Sequence, residues 1–299
     1  MKKILTHNGR FHADDCFAVA TLQIYFEKIG EPIEVIRSRD SILIKSADFV
    51  LDVGGIYDSE TNRFDHHQSG GAGKRENGVP YSAFGLVWKH YGSKICKSQK
   101  VANMIDSDMI ECIDSVDNGY EPFESLKGIS NFSVDDFIKT LNPNRLEQKK
   151  GDDENMPFFN EAVAMCKRIL ERQIKKFEIV VEDEIEVEKI YSETEDKRII
   201  IFDKSISWQT VLCKKPEPLY VVHTKYGEDY AVTAVPVVAG SYTMRKPFPK
   251  SWCGKIGADL AKVSLVPNAN FCHANGFLCN ATDKESALQL AQKALENNE

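Results

Sequence analysis

Phe64-Asp65-His66-His67-Gln68 places an acid beside two imidazoles, a dense cluster of metal-ligand types. Just before it, Phe49-Val50-Leu51-Asp52-Val53-Gly54-Gly55 reads as a buried strand closed by an acid and a glycine turn. His7-Asn8-Gly9-Arg10-Phe11-His12-Ala13-Asp14-Asp15 forms a second cluster at the start, and Asp117-Asn118-Gly119 comes later in the chain. Mixed imidazole and carboxylate ligands suit Mn, Fe or Zn better than Mg or Ca, which prefer oxygen alone. His7, His12, Asp14, Asp52, Asp65, His66, His67 and Asp117 are more groups than one ion needs. A shared carboxylate could bridge two ions ~3.5–4 Å apart, lower the pKa of a water between them, and neutralise charge on a phosphate. The expectation is one two-metal site that cleaves phosphate esters.

Each cluster also has a plainer explanation. Asp14-Asp15 could be a helix N-terminal pair favoured by the dipole. Asp117 could be an exposed carboxylate, and lone imidazoles such as His90 and His223 read as packed or surface residues. Asp52 resists this treatment, because an acid closing an apolar strand is costly without a partner. Ser69-Gly70-Gly71-Ala72-Gly73-Lys74-Arg75 looks superficially like a phosphate loop. It fails the Walker pattern, since no Gly lies five residues before Gly73 and no Ser or Thr follows Lys74. It reads as a mobile loop.

The elements that must position these groups can be read from periodicity. Lys3 to Thr6, Ile33 to Arg37 and Asp48 to Val53 read as strands. A helix begins near Asp15, with Phe17, Ala20 and Ile24 at helical spacing, and stops at Gly30 and Pro32. Ser41 to Lys45 is a short turn or helix. This alternation predicts a mostly parallel sheet flanked by helices. Ligands bind beyond the carboxyl ends of such strands, where His7 and Asp52 both fall. Tyr81 to Tyr91 is a helix. Another runs from Gln99 with Val101, Ile105, Met109, Cys112 and Val116 on one face, ending at Gly119. Residues 121–155 are polar and irregular. A long helix starts near Phe158, with Phe159, Val163, Cys166, Leu170, Ile174, Phe177 and Val181 as its apolar stripe. Its acidic tail, Glu182 to Glu188, reads as a solvated connector. The domain boundary is placed near 190, giving a catalytic domain over 1–190 and a smaller α/β domain over 191–299. The second has strands at Arg198 to Phe202, Leu219 to Thr224 and Tyr230 to Val237, and helices at Trp252 to Val263 and Lys284 to Leu295.

The 299 residues are 42% hydrophobic with a formal charge of −7. That composition gives a proper core and excludes a grip on nucleic acid through the overall field. An anionic substrate must be drawn by a local basic pocket or by bound cations. The eight cysteines contain no C-x-x-C pair, which argues against a structural zinc site and fits a reducing cytosol. Neither a signal peptide nor a membrane helix is indicated, so the expectation is a cytoplasmic protein with no membrane partner.

Taken together, His7 through Asp15, Asp52, Asp65-His66-His67 and Asp117-Asn118-Gly119 resemble the four motifs of the DHH phosphoesterase superfamily. His12 stands where the first motif usually has Asp, and the loop is one residue longer. This variant resembles the melanocyte-proliferating-gene (Myg-type) exonuclease branch. So do Val53-Gly54-Gly55-Ile56-Tyr57-Asp58, Leu141-Asn142-Pro143, Trp208 and Arg245-Lys246-Pro247-Phe248-Pro249 with Trp252 and Gly254. Phe271-Cys272-His273-Ala274-Asn275-Gly276-Phe277 is similar to its terminal motif, which usually continues with a Gly pair where this chain has Cys279-Asn280. The resemblance implies that His7, His12 and Asp52 hold one cation. Asp14, Asp52, His66 and Asp117 would hold the other, with Asp114 as the rival of Asp117. Asp65 would orient a ligating imidazole, and His67 would face the phosphate. Two divalent cations are expected, Mn²⁺ first and Mg²⁺ second.

In the second domain, Arg245 and Lys246 are adjacent cations in a proline-stiffened loop. His273, Asn275 and Gly276 could bring backbone amides to an anion. The resemblance makes this a substrate-binding lobe closing over the metals, with Tyr242, Trp252 or Phe271 available to stack on a base. The leading expectation is a metal-dependent 3′–5′ exonuclease acting on single-stranded RNA or an oligonucleotide. A hydrolase of short oligonucleotides, cyclic dinucleotides or pyrophosphate is the second reading. A non-catalytic metal-bound RNA-binding module is the third. For assembly, a homodimer is the expectation.

Overall fold

The computed structural model describes residues 1–120, 128, 129, 131–148, 151–224 and 229–297, without the side chains of 152–154. It divides into two compact units, Met1–Glu178 and Ile179–Glu299. In the first, β1 (Lys2–Thr6), α1 (Ala13–Ile29), β2 (Ile33–Arg37), α2 (Ser41–Ser46) and β3 (Phe49–Leu51) alternate. Two short strands come next, β4 (Tyr57–Asp58) and β5 (Arg63–Phe64). The sheet order is β2-β1-β3-β5-β4. β1 lies parallel to β2 and β3, and β3 parallel to β5; β4 joins antiparallel at the edge. Strands of two residues carry no readable alternation, which is why β4 and β5 escape the sequence.

The α1 helix is buried from Ala13 to Leu22, so it is a central rod rather than an amphipathic surface helix. His12 precedes it, and the His12 N–H donates to Asp15 Oδ1 at 2.9 Å. Packed against α1 is α3 (Ala83–Ile95), with the Phe17 and Phe84 rings stacked 5.0 Å apart.

The helix expected from Gln99 is three pieces: α4 (Gln99–Ile105), a π-helical turn (Asp106–Ile110) and α5 (Glu111–Asp117). The wider turn rotates α5 relative to α4. Val101, Ile105 and Met109 are buried as expected. Beyond the π turn the buried face passes to Ile110, Ile113 and Asp114, leaving Cys112 and Val116 half-buried.

The glycine-rich loop after His67 is not free. Arg75 sends Nε and Nη2 to Asp106 at 3.1 and 2.7 Å, and Nη1 to Asp114 at 2.8 Å. Its guanidinium lies 4.4 Å from the centre of the Tyr81 ring. Asp114 also accepts from Ser82 Oγ at 2.6 Å and from the Gly85 N–H at 3.0 Å.

Within 121–155, residues 121–127, 130, 149 and 150 lie outside the described residues. The rest contains α6 (Val134–Thr140), capped by Ser133, whose Oγ accepts from the Asp136 N–H at 3.1 Å. It runs on to α7 (Asp152–Glu193), which holds Phe159, Val163, Cys166 and Leu170 buried. The acidic tail stays helical, because Val187 lies in an apolar cluster with Ile200, Phe202, Trp208 and Val221.

The second unit holds β6 (Ile199–Ile201), α8 (Gln209–Leu212), β7 (Tyr220–Thr224), β8 (Tyr230–Ala234) and α9 (Gly257–Ser264). It ends with β9 (Ala269–Cys272), β10 (Leu278–Ala281) and α10 (Lys284–Glu296). Its sheet order is β6-β7-β8-β10-β9, antiparallel except for β6 with β7. Among the described residues, no helix is long and apolar enough to cross a membrane.

Gly85 sits where α3 meets Asp114, and a Cβ there would lie 1.9 Å from Asp114 Oδ2. Gly85→Ala is therefore expected to cost about 3 kcal/mol through overpacking, read as a lower denaturant midpoint. An unchanged midpoint would contradict this packing.

Candidate metal centre

The parallel register assembles the centre. Thr6 pairs with Leu51, and Leu51 with Phe64. The residues one step further, His7, Asp52 and Asp65, therefore emerge side by side from adjacent carboxyl ends. Asp52 has φ of 56°, the left-handed region that few residues without a glycine backbone occupy. Its N–H still bonds Phe64 O at 3.0 Å, so the strain is held in place from β5.

His7 Nε2 lies 3.2 Å from Asp52 Oδ2 and 3.4 Å from Asp15 Oδ2. His66 Nε2 lies 3.3 Å from Asp52 Oδ1 and 3.2 Å from Asp117 Oδ2. Asp52 thus stands between the two imidazoles. His67 is 62% exposed in its side chain, with Nδ1 2.8 Å from Asp65 Oδ1 and 3.4 Å from Asp52 Oδ1. Buried Asp65 takes the Gly55 N–H on Oδ2 at 2.5 Å, so the imidazole it orients is that of His67. Among the described residues, two groups have ligand atoms within 4.8 Å of one another: Asp52, His66 and His67, and His12, Asp14 and Asp117. Here His12 keeps company with Asp14 and Asp117; the resemblance implied His7 and Asp52. Asp117 reaches His66, whereas Asp114 faces Arg75 and Ser82.

Charge is badly matched in this cluster. Asp14 is 1% exposed, and neither of its carboxylate oxygens has a hydrogen-bond partner. Asp15 Oδ2, Asp52 Oδ1 and His66 Nε2 are also buried without an aligned hydrogen bond. Burial, then the charges of Asp52, Asp117 and Asp15, push the Asp14 carboxyl well above its usual range. Burial pulls the His66 imidazole down, but Asp117 and Asp52 outweigh it and raise it to about 10. His7 is raised in the same way, by Asp52 and Asp15 acting against burial. Burial disfavours the charged Asp52 too, yet His66 and His7 hold its carboxyl far below the usual carboxylate range. Buried acids with empty lone pairs, drawing protons onto neighbouring imidazoles, are what a divalent cation would satisfy. The donor set fits such ions.

The scaffold reaches this centre from far along the chain. The Asn142 amide accepts from the Phe11 N–H and donates to Phe11 O, both at 2.9 Å. Asp135 Oδ1 accepts from the Ala13 N–H at 3.1 Å. Arg37 Nη2 donates to Gly9 O at 2.9 Å. None of these carries a local sequence signal; only the family-like Leu141-Asn142-Pro143 stretch hints at one. A cavity of about 870 Å³ opens over the centre, and Arg10 and Arg39 line it beside His7, His12, Asp52, Asp65, His67 and Asp117. Arg10 sits inside the first cluster, but neither arginine is a metal-ligand type, so sequence reasoning passes them over.

In the second unit, Arg245 donates Nη1 to Lys215 O at 2.5 Å and Pro218 O at 3.1 Å, and Nη2 to Cys213 O at 2.6 Å. Lys246 Nζ donates to Leu295 O at 2.7 Å, in the last turn of α10. Both cations thus satisfy carbonyls at or just beyond helix C-termini, which lack partners in the helix itself. They are not offered as free charges. His273 Nδ1 accepts the Asn275 N–H at 3.1 Å, and its ring centre lies 4.2 Å from that of Phe277. Gly276 has φ of 66°, and a Cβ there would press on Cys253 Sγ at 3.2 Å. Trp252 is buried in the core, while Tyr242 is 84% exposed and meets Phe277 edge-on at 6.1 Å.

Adding Mn²⁺ at a hundredfold excess over its Kd is expected to stabilise the protein by about 2.7 kcal/mol, a rise in Tm of about 5–10 °C. His7 and His66 must lose protons to ligate, so the shift should be smaller at pH 6 than at pH 8. Asp14→Asn should remove most of the shift without lowering the metal-free Tm, because it replaces a buried carboxyl that has no hydrogen-bond partner and that its acidic neighbours disfavour in the charged form. Thermal melts with no Mn²⁺ shift at either pH would contradict this picture.

Residues 3–295 match the family model MYG1_exonuc, described as an uncharacterised protein family (UPF0160). The MYG1 protein of Chlamydia pneumoniae is 32% identical, across 99% of this chain and 97% of its own length. That of Dictyostelium discoideum is 30% identical, over 99% and 97%. A human relative named MYG1 exonuclease is 26% identical, over 98% and 85%. Among solved structures, RecJ from Thermus thermophilus with Mn²⁺ aligns at a TM-score of 0.31 and 9% identity, over 100% of this chain and 53% of that one. On the family match and these full-length relatives, the chain belongs to the MYG1 family.

Proposed function

We propose that this protein is a metal-dependent phosphodiesterase, a 3′–5′ exonuclease acting on single-stranded RNA or oligonucleotides. The observation that carries the reading is the cluster of His7, His12, Asp14, Asp52, His66 and Asp117, in which both Asp14 oxygens and Asp52 Oδ1 are buried without an aligned hydrogen bond. Two divalent cations held there, Mn²⁺ first and Mg²⁺ second, would supply a nucleophile at neutral pH and neutralise the phosphate. Asp52 would serve both, since its two oxygens face His7 and His66 separately. Asp65 holds the His67 ring by Nδ1 and leaves the exposed edge of that imidazole toward the cavity, where it can donate to a phosphate oxygen. The names of the mammalian relatives as exonucleases support the activity class. The direction of attack, the preference for RNA and a cytoplasmic location rest on the resemblance and on the cysteine pattern.

The second unit is assigned the substrate strand. Tyr242, Phe277 and His273 form a partly exposed aromatic run suited to stacking on any base. Arg245 and Lys246 would act there by shaping the loop, since their charges are engaged with carbonyls.

The test is purified protein with Mn²⁺ and a single-stranded RNA labelled at either end. With 5′ label a ladder of shortening products is expected; with 3′ label, immediate release of labelled mononucleotide. Asp52→Asn should lower kcat by more than about a hundredfold, and Asp65→Asn by about 10–100-fold. Intact RNA in the presence of metal-loaded protein would refute the reading.

A further inference from the structure

We infer that Arg10 and Arg39 form an anion subsite that takes a second phosphate of the substrate, next to the one being cleaved. The inference rests on the phosphodiesterase reading of the same cavity. It starts from the order of loops along the carboxyl edge of the first sheet. The loops after β5, β3 and β1 supply His66, Asp52 and His7; the loops after β1 and β2 supply Arg10 and Arg39. Ligand-rich and cationic ends therefore face each other across one cavity.

The backbone on either side of the arginines is fixed. The Ser38 N–H donates to Thr6 O at 2.8 Å, and Arg37 Nη2 to Gly9 O at 2.9 Å, tying the two loops together. Arg37 is itself held, 4.5 Å from the centre of the Phe159 ring. On the far side of Arg39, Asp40 Oδ1 caps α2 through the Ile42 and Leu43 N–H groups at 2.8 and 3.1 Å.

Yet both side chains are exposed, and among the described residues neither guanidinium has a hydrogen-bond or ion-pair partner. Arg63 and Arg75 of the same unit are engaged with carbonyls or carboxylates. Arg10 and Arg39 line a cavity that also holds Asp52, Asp65 and Asp117 without pairing to them. Two guanidinium forks kept free beside a phosphate-cleaving centre match a further phosphate in charge and geometry. Among the described residues, the lining offers Val53 as its one apolar side chain and no aromatic ring except imidazoles. It is suited to reading phosphates rather than bases. Neighbouring strands lie about 4.8 Å apart, so the β2 loop stands about 10 Å from β3, and a long arginine side chain can reach back toward a phosphate next to the centre.

Turnover of ApA is compared with that of pApA and ApAp by the Mn²⁺-loaded protein. The wild type should favour one phosphorylated form, and the Arg10→Ala/Arg39→Ala double variant should cut that kcat/KM ratio about tenfold, mostly through KM. Arg39→Lys should fall between. A ratio unchanged in the double variant overturns the subsite. Isothermal titration with adenosine 3′,5′-bisphosphate and adenosine 5′-monophosphate gives a readout without turnover. The wild type should bind the bisphosphate more tightly and the double variant should lose that difference; equal affinities in the wild type overturn the proposal. If no dinucleotide is cleaved but the arginine-dependent difference in binding is present, the subsite stands and the phosphodiesterase reading falls.

Discussion

Negative charge gathered where water cannot reach it is the constraint on which the first unit turns. Asp14, Asp15 and Asp52 are almost fully buried within reach of one another, and the imidazoles of His7, His66 and His67 answer Asp15 and Asp52 but not Asp14. An unpaired buried charge costs several kcal/mol. A fold keeps such an arrangement where protons or bound cations complete it. The first turn of α1 contributes, since Asp14 and Asp15 sit at its positive end. That contribution is too small to balance the set, and divalent cations are the remaining candidates.

Much of the surrounding architecture can be understood as bracing for that cluster. Parallel register sets His7, Asp52 and Asp65 in a row. Asp52 departs from ordinary backbone geometry to turn its carboxylate between two imidazoles. Asn142 and Asp135 grip the backbone at Phe11 and Ala13, on both sides of His12. Arg75 ties the loop that comes after His67 to Asp106 and Asp114, on the helical run that ends at Asp117. Each brace joins segments distant in sequence, so the centre is a tertiary object and could not survive as an isolated loop.

That distinction explains what could be read from the sequence. Acids and imidazoles next to strand ends are visible because chain order and strand direction alone bring them together, as with His7 and Asp52. The strands β1, β2 and β3 announce themselves by apolar runs between turns. The two-residue β5 does not, although it carries the most telling cluster. The π turn after Ile105 is equally silent; it moves the buried face by a fraction of a turn that no heptad count anticipates. Arg245 and Lys246 show less of their surroundings in the sequence for a related reason. A cation in a loop looks free until the helix C-terminus it serves is seen. Arg10 and Arg39 look no different in sequence, yet among the described residues their guanidiniums have no partner.

The central claim is that the acids and imidazoles at the carboxyl edge of this sheet surround a pair of metal ions. Crystals grown with Mn²⁺ and measured for anomalous scattering test it most directly. Two peaks about 3.5–4 Å apart are predicted, one beside Asp52 and His66 and the other beside Asp14 and Asp117. A well-ordered site showing neither peak, with its carboxylates bridged only by protein or water, would contradict the account.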